Sequence, residues 1–173
     1  MALANGFKKR EEMIETSTPS ERRHLSFATA EDVLNDIDKI LAAELGGRLR
    51  TIGTWTPGQI MAHVAAWIDY GYIGYPVKAP PFFIRWILRL KLKQILAKGM
   101  PAGIRIPGVK DGTIGQDPMT SAEAATRLKR SFLRLANGEQ CPFESPGFGA
   151  MSHEQRIKLN LRHAELHLSF INV

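Results

Sequence analysis

Cysteine is nearly missing from this chain of 173 residues, in which Cys141 stands alone. A lone thiol excludes an internal disulfide, removes the cysteine pairs that closed structural zinc sites favour, and fits a reducing compartment. Cys141 lies between Gln140 and Pro142 in an expected loop, with nothing nearby to activate it, so its expected role is inert. Long apolar runs are missing as well. No stretch approaches the roughly 18–20 residues needed to cross a bilayer, and the opening MALANGFKKREEM has no apolar segment resembling a secretory signal. The expectation is a cytoplasmic protein that is not integral to a membrane. Acidic residues are outnumbered, 17 against 23 Lys and Arg, giving a net charge of +6 and a pI of about 9.7. Polyanions are therefore conceivable partners. The positive charge is nevertheless dispersed: Lys8, Lys9 and Arg10 near the start, Arg22 and Arg23 beyond them, and Arg85, Arg89, Lys91, Lys93 and Lys98 on one amphipathic stretch. No recognised nucleic-acid motif accompanies them, so no nucleic-acid partner is expected, and the Arg85, Arg89, Lys93 stripe reads as a solvated outer face.

What the chain does contain is the composition of one ordinary domain, 44% hydrophobic and 23% charged. Residues 1–25 mix charged and small polar types and read as a tail or frayed helix, leaving 26–173 as the domain. From Thr29, a capping residue, Val33, Leu34, Ile37, Ile40, Leu41 and Leu45 recur at helical spacing until Gly46 and Gly47. A second helix is announced by Thr56-Pro57-Gly58-Gln59, in which Thr caps, Pro takes the first helical position and Gln completes a capping box; it should run to about Ile73. A third carries Phe83, Ile84, Ile87, Leu88, Leu92, Ile95 and Leu96. Residues 98–119 are too rich in Gly and Pro for regular structure, and a loop that long is expected to have a purpose, such as covering one end of the domain. A fourth helix, capped at Thr120 or Ser121, carries Ala124, Ala125, Leu128, Phe132 and Leu135 and stops at Asn137-Gly138. The last begins at the capping box Ser152–Gln155 and extends towards Phe170, with Leu159, His163, Leu166, His167 and Phe170 on one side. No strand is required. The fold class is all-α: an up-and-down four-helix bundle with an additional short helix and long loops.

Histidine carries the chemistry. Positions 163 and 167 lie about 40° apart around a helix and roughly 6 Å apart along it, so both imidazoles can reach one ion. His63 is the only other histidine expected to be both mid-helix and inward, on the stripe Ile60, His63, Val64, Trp67, Ile68. Three protein ligands with an open position are the usual arrangement of a catalytic metal site. The candidate metal ligands are thus His63, His163 and His167. The plain alternative is that each is a hydrogen-bonded core histidine, although three neutral imidazoles would then each need a polar partner.

The segments TWTPGQIMAHVAAW and GFGAMSHEQRIKLNLRHAELHLSF resemble the DinB-like superfamily of four-helix bundles, in a branch of uncharacterised function. The resemblance runs from about Arg23 onward and rests above all on Trp55, Thr56, Gly58, Gln59 and His63. It implies a divalent metal, zinc or nickel, held at His63, His163 and His167. Characterised members of that superfamily include metal-dependent transferases and isomerases that use low-molecular-weight thiols, and the expectation for this chain is a metal-dependent transferase or hydrolase acting on a small-molecule substrate, with thiol-linked chemistry among the options. A scaffold or sensor, with or without a metal, is the competing reading, and a basic surface-binding module the third.

Other residues compete for a role. His153, about 15 Å along the helix from His163, is too far to join the ion and is expected to be exposed, as is His24. Glu165 points away from both ligands and should face the surface or another helix. Asn160, one turn before His163, is placed to line a pocket or bond an imidazole. Trp55 and Trp67 are expected in the core, and Tyr70, Tyr72 and Tyr75 near the open end of a pocket, without assigned roles. The aromatic-rich third helix is also a candidate homodimer interface.

Overall fold

A computed structural model describes residues 21–106, 109 and 112–173, so the charges expected at Lys8, Lys9 and Arg10 lie outside the described residues. Five helices, α1 (Ala30–Leu45), α2 (Pro57–Ile73), α3 (Phe82–Lys98), α4 (Ser121–Ala136) and α5 (His153–Leu168), are joined by one small ribbon of β1 (Arg50–Thr51) and β2 (Ile171–Asn172). Helix ends follow local chemistry closely. Thr29, Thr56, Thr120 and Ser152 each cap a helix, and each accepts from and is paired back by the residue three positions on, Asp32, Gln59, Glu123 and Gln155. Gly46 and Gly47 close α1, with Gly47 at φ 66°.

The interior is assembled around α2. Whereas α1 and α4 bury one side, α2 buries Ile60, Met61, Ala62, His63, Val64, Ala65, Ala66 and Ile68, that is, nearly its whole circumference. A helix apolar all round belongs in the middle, and its alanines let neighbours approach closely. It packs on α4 and α5; α1 also packs on α4 and α5. The core is completed by Val33, Ile37 and Ile40 of α1, Leu128, Phe132 and Leu135 of α4, and Leu161, Ala164 and Leu168 of α5.

Several expectations need correction. The additional helix is not short: α3 has 17 residues against 16 or 17 in the others, and what distinguishes it is that it leans chiefly on α5 and buries only Leu92, Ile95 and Leu96. The strandless reading missed β1 and β2, which pair antiparallel with Arg50 opposite Asn172 and Thr51 opposite Ile171. Such a ribbon is too short for a period to show; what holds it is the complete burial of Ile171. The buried side of α5 is not Leu159 and Leu166, which are half-buried, but Leu161, Ala164 and Leu168. Near the expected boundary at residue 25 the chain is already tied down. The Arg23 guanidinium donates to both carboxylate oxygens of Asp36 at 2.7 and 2.9 Å, Arg22 lies over the Phe170 ring, and Phe27 is buried. The Arg85, Arg89, Lys93 stripe is not uniformly solvated, because Arg85 pairs with Glu144 and Arg89 donates to the carbonyls of Phe148 and Ala150.

Gly58 shows why the Thr-Pro-Gly-Gln start is spelled that way. A Cβ there would stand 2.0 Å from the Met119 carbonyl oxygen, since the first turn of α2 abuts the chain entering α4. Replacing Gly58 by Ala should therefore cost about 1–3 kcal/mol and lower the melting temperature by roughly 3–10 °C. An unchanged thermal midpoint for Gly58→Ala would contradict this contact.

Candidate metal centre

His63 stands in the second turn of α2, and His163 and His167 stand one turn apart near the end of α5. α5 is unusual in carrying two inward stripes. Its apolar stripe, Leu161, Ala164 and Leu168, faces the core, and roughly 100° away Arg156, Asn160, His163 and His167 form a polar stripe at spacings of four, three and four. Where that second stripe meets α2, the three imidazoles converge. Their ring centroids are 5.0 Å (His63–His163), 4.4 Å (His63–His167) and 4.5 Å (His163–His167) apart. One ligand nitrogen from each lies within 4.8 Å of the other two. His63 and His163 are buried and His167 half-buried.

Two tryptophans and one backbone carbonyl lie against the imidazoles. The Trp55 ring stacks on His167 at 6.1 Å and meets His63 edge-on at 5.2 Å. Trp67 meets His63 and His163 edge-on at 6.2 and 6.1 Å. The carbonyl of Ile114 lies 2.7 Å from His63 Nδ1. A carbonyl only accepts, so Nδ1 carries the proton and Nε2 keeps its lone pair. Ile114 comes from the long irregular loop, whose approach depends on Gly115. At φ +85°, a Cβ on Gly115 would meet the Ala66 Cβ at 2.6 Å, one turn beyond His63. The same loop is tied down by Arg127 of α4, which donates Nε to Asp69 on α2 at 2.9 Å and Nη1 to Asp117 at 3.3 Å. The loop, expected to cover one end of the domain, instead places Ile114 and Gly115 against the side of α2 that carries His63 and Ala66.

The remaining expectations sort as follows. Glu165 stays away from the imidazoles: it accepts from the Phe27 N–H at 2.6 Å and pairs with Arg162 at 2.9 Å. Asn160 bonds no imidazole, because its amide donates back to the Arg156 carbonyl. His153 is half-buried rather than exposed, with Nε2 3.0 Å from the Leu135 carbonyl, so it joins the start of α5 to the end of α4. His24 is exposed. Tyr72 is turned elsewhere, donating to the Glu139 carbonyl beneath Arg134, while Tyr70 and Tyr75 pack around Trp67. Cys141 is half-buried against the core beside Gly71. Ile114 and Gly115 were not foreseen: a backbone carbonyl leaves no side-chain trace, and the length of its loop was the one signal.

Burial sets the charge state. It pushes His63 down from 6.5 to about 4, the Ile114 bond opposing, and pushes His163 and His167 well below their ordinary value, with repulsion among the rings acting in the same direction. All three are neutral near pH 7, which is the form that donates a lone pair.

These features define a class: a helical protein with a buried cluster of three neutral histidines at the meeting of two core helices. The chain belongs to the family described as "Protein of unknown function (DUF1569)", whose family model matches residues 19–173. No curated protein and no solved structure matches it.

Since the unfolded chain protonates these histidines near 6.5 and the folded one resists until about 4 in the case of His63, the unfolded state binds more protons as the pH falls. Stability present above pH 6.5 is lost on acidification. Urea titration of chelator-treated protein should show the midpoint falling between pH 7 and 5, and His163→Leu should flatten that slope; a midpoint independent of pH in wild type would rule the buried neutral cluster out.

Proposed function

We propose that this chain binds one divalent metal ion, zinc or nickel, through His63, His163 and His167. We further propose that the framework formed by α1, α2, α4 and α5 is an up-and-down four-helix bundle of the DinB-like type, and that the protein is a metal-dependent small-molecule transferase or hydrolase. The observation that carries the reading is the convergence of three neutral imidazoles, with ligand nitrogens within 4.8 Å of one another. Metal–nitrogen bonds are about 2 Å long, so modest side-chain rotations bring such a set onto one ion. The donor set fits: imidazole suits zinc and nickel, and the proton fixed on His63 Nδ1 directs the other nitrogen to the ion, the usual role of an outer hydrogen bond. A further sign is the Trp67 indole N–H. It is buried beside His63 and His163 and has no acceptor among the described residues, so an oxygen atom brought by a ligand would satisfy it.

When bound, such an ion supplies Lewis acidity to a water, thiol or acceptor oxygen in its remaining position. The chain's own residues do the rest. Ile114 holds the tautomer and orientation of His63, Trp55 and Trp67 keep bulk water from the imidazoles, and Arg127 with Asp69 and Asp117 keeps the loop in place. A non-catalytic metal-binding scaffold or sensor is the second reading, favoured by how closely Trp55, Trp67 and the loop pack around the cluster.

Metal analysis tests the first step. Gently purified or reloaded wild type should hold one equivalent of metal, and His63→Ala should weaken binding at least about a hundredfold. A wild type that takes up no stoichiometric metal refutes the site. Turnover of a thiol with an electrophile, or of a hydrolysable substrate, by the loaded protein supports the enzyme, and loaded but inert protein supports the scaffold. Gly115→Ala should lower metal affinity about 10–100-fold by displacing Ile114, without removing any ligand; unchanged affinity would deny the loop its part.

A further inference from the structure

α3 is apolar on two opposite sides. Its inner side leans on α5 through Leu92, Ile95 and Leu96. Its outer side presents Phe82, Phe83, Trp86, Ile87 and Leu90 within about 140° of arc, so these side chains form one strip. Phe82 is 85% and Trp86 65% exposed. A continuous apolar strip of this kind on a folded surface calls for an occupant.

The charges say which. The 17 residues of α3 contain Arg85, Arg89, Lys91, Lys93 and Lys98 and no acid. Arg85 and Arg89 are engaged with the 144–150 segment, but Lys91 is exposed just beyond one border of the strip and Lys93 one turn past its end on the Phe82 side, with Lys78 exposed in the approach to the helix. A second copy docked symmetrically on this strip would set lysines against lysines with no carboxylate on the helix to separate them. A nucleic acid would use the lysines but leave Phe82, Trp86, Ile87 and Leu90 in water. A bilayer surface with anionic headgroups takes both, because aromatic and aliphatic side chains enter the headgroup boundary while flanking lysines meet the phosphates.

We propose that the outer face of α3 docks the protein peripherally on an anionic lipid bilayer, with Phe82, Trp86 and Leu90 inserted and Lys91 and Lys93 at the headgroups. No described helix is long and apolar enough to cross a membrane, and none needs to. The strip lies on an outer helix whose orientation is fixed by Arg89 and by its inner leucines, so docking leaves the core undisturbed.

Vesicle co-sedimentation of the full chain tests this. Binding to phosphatidylcholine containing about 30 mol % phosphatidylserine should exceed binding to phosphatidylcholine alone by at least about tenfold, and should fall in high salt. Lys91→Ala with Lys93→Ala should weaken it about thirtyfold, and Trp86→Ser about tenfold, with unchanged circular dichroism. Trp86 fluorescence should shift to the blue on binding. The proposal is overturned if wild type sediments equally little with both vesicles. It is equally overturned if sedimentation velocity shows a dimer that Trp86→Ser dissociates, or if an oligonucleotide binds and only the lysine variants affect it.

Discussion

Three imidazoles can be buried side by side only as neutral rings, since each cation would face both desolvation and the repulsion of its neighbours. A neutral ring in turn has a donor and an acceptor to place, and an apolar core offers neither. Much of the local structure around the site answers that constraint. One donor is settled by the Ile114 carbonyl, which reaches His63 because Gly115 can approach Ala66. One ring nitrogen of each histidine lies within 4.8 Å of the other two, so the three rings must share out their donors and acceptors at close quarters.

This explains the division of α5 into two stripes. A helix that only packed would need Leu161, Ala164 and Leu168; the additional inward line of Arg156, Asn160, His163 and His167 adds polar groups to the interior at a position where α2 already supplies His63. Each member of that line has a local answer or a shared one: Arg156 donates to the Phe143 carbonyl, Asn160 to the Arg156 carbonyl, and the two histidines face His63. Trp55 and Trp67 pack against the rings, Trp55 on His63 and His167 and Trp67 on His63 and His163.

What could be read from the sequence was whatever interacts within about four residues. The capping pairs at Thr56 and Ser152 placed the starts of α2 and α5 because the partner of each cap is its near neighbour. His163 and His167 could be paired from helical spacing, whereas His63 was joined to them by its inward place on a well-capped helix and by the motif around Trp55 and Gln59. The failures lie where a distant segment decides. The burial of α2 on all sides depends on how α1, α4 and α5 assemble, and its alanines alone do not reveal it. α3, apolar on two sides, offered no periodic clue to which side faces inward. His153 looked exposed because the Leu135 carbonyl that accepts it lies on another helix.

The way α5 is tied in bears on when the fold can form. Glu165 and Arg162 hold the backbone of Phe27, the Leu168 carbonyl receives Arg23, and Ile171 closes the ribbon against β1. The earliest described segment is therefore completed by the last helix, across contacts separated by most of the chain. α4 packs on both α1 and α2, but the partners of Arg23 and Phe27 and the two histidines that face His63 come only with α5, so the fold rests on contacts of high sequence separation. Docking of α5 onto the other helices, rather than formation of any single helix, is therefore the step expected to limit the rate of folding.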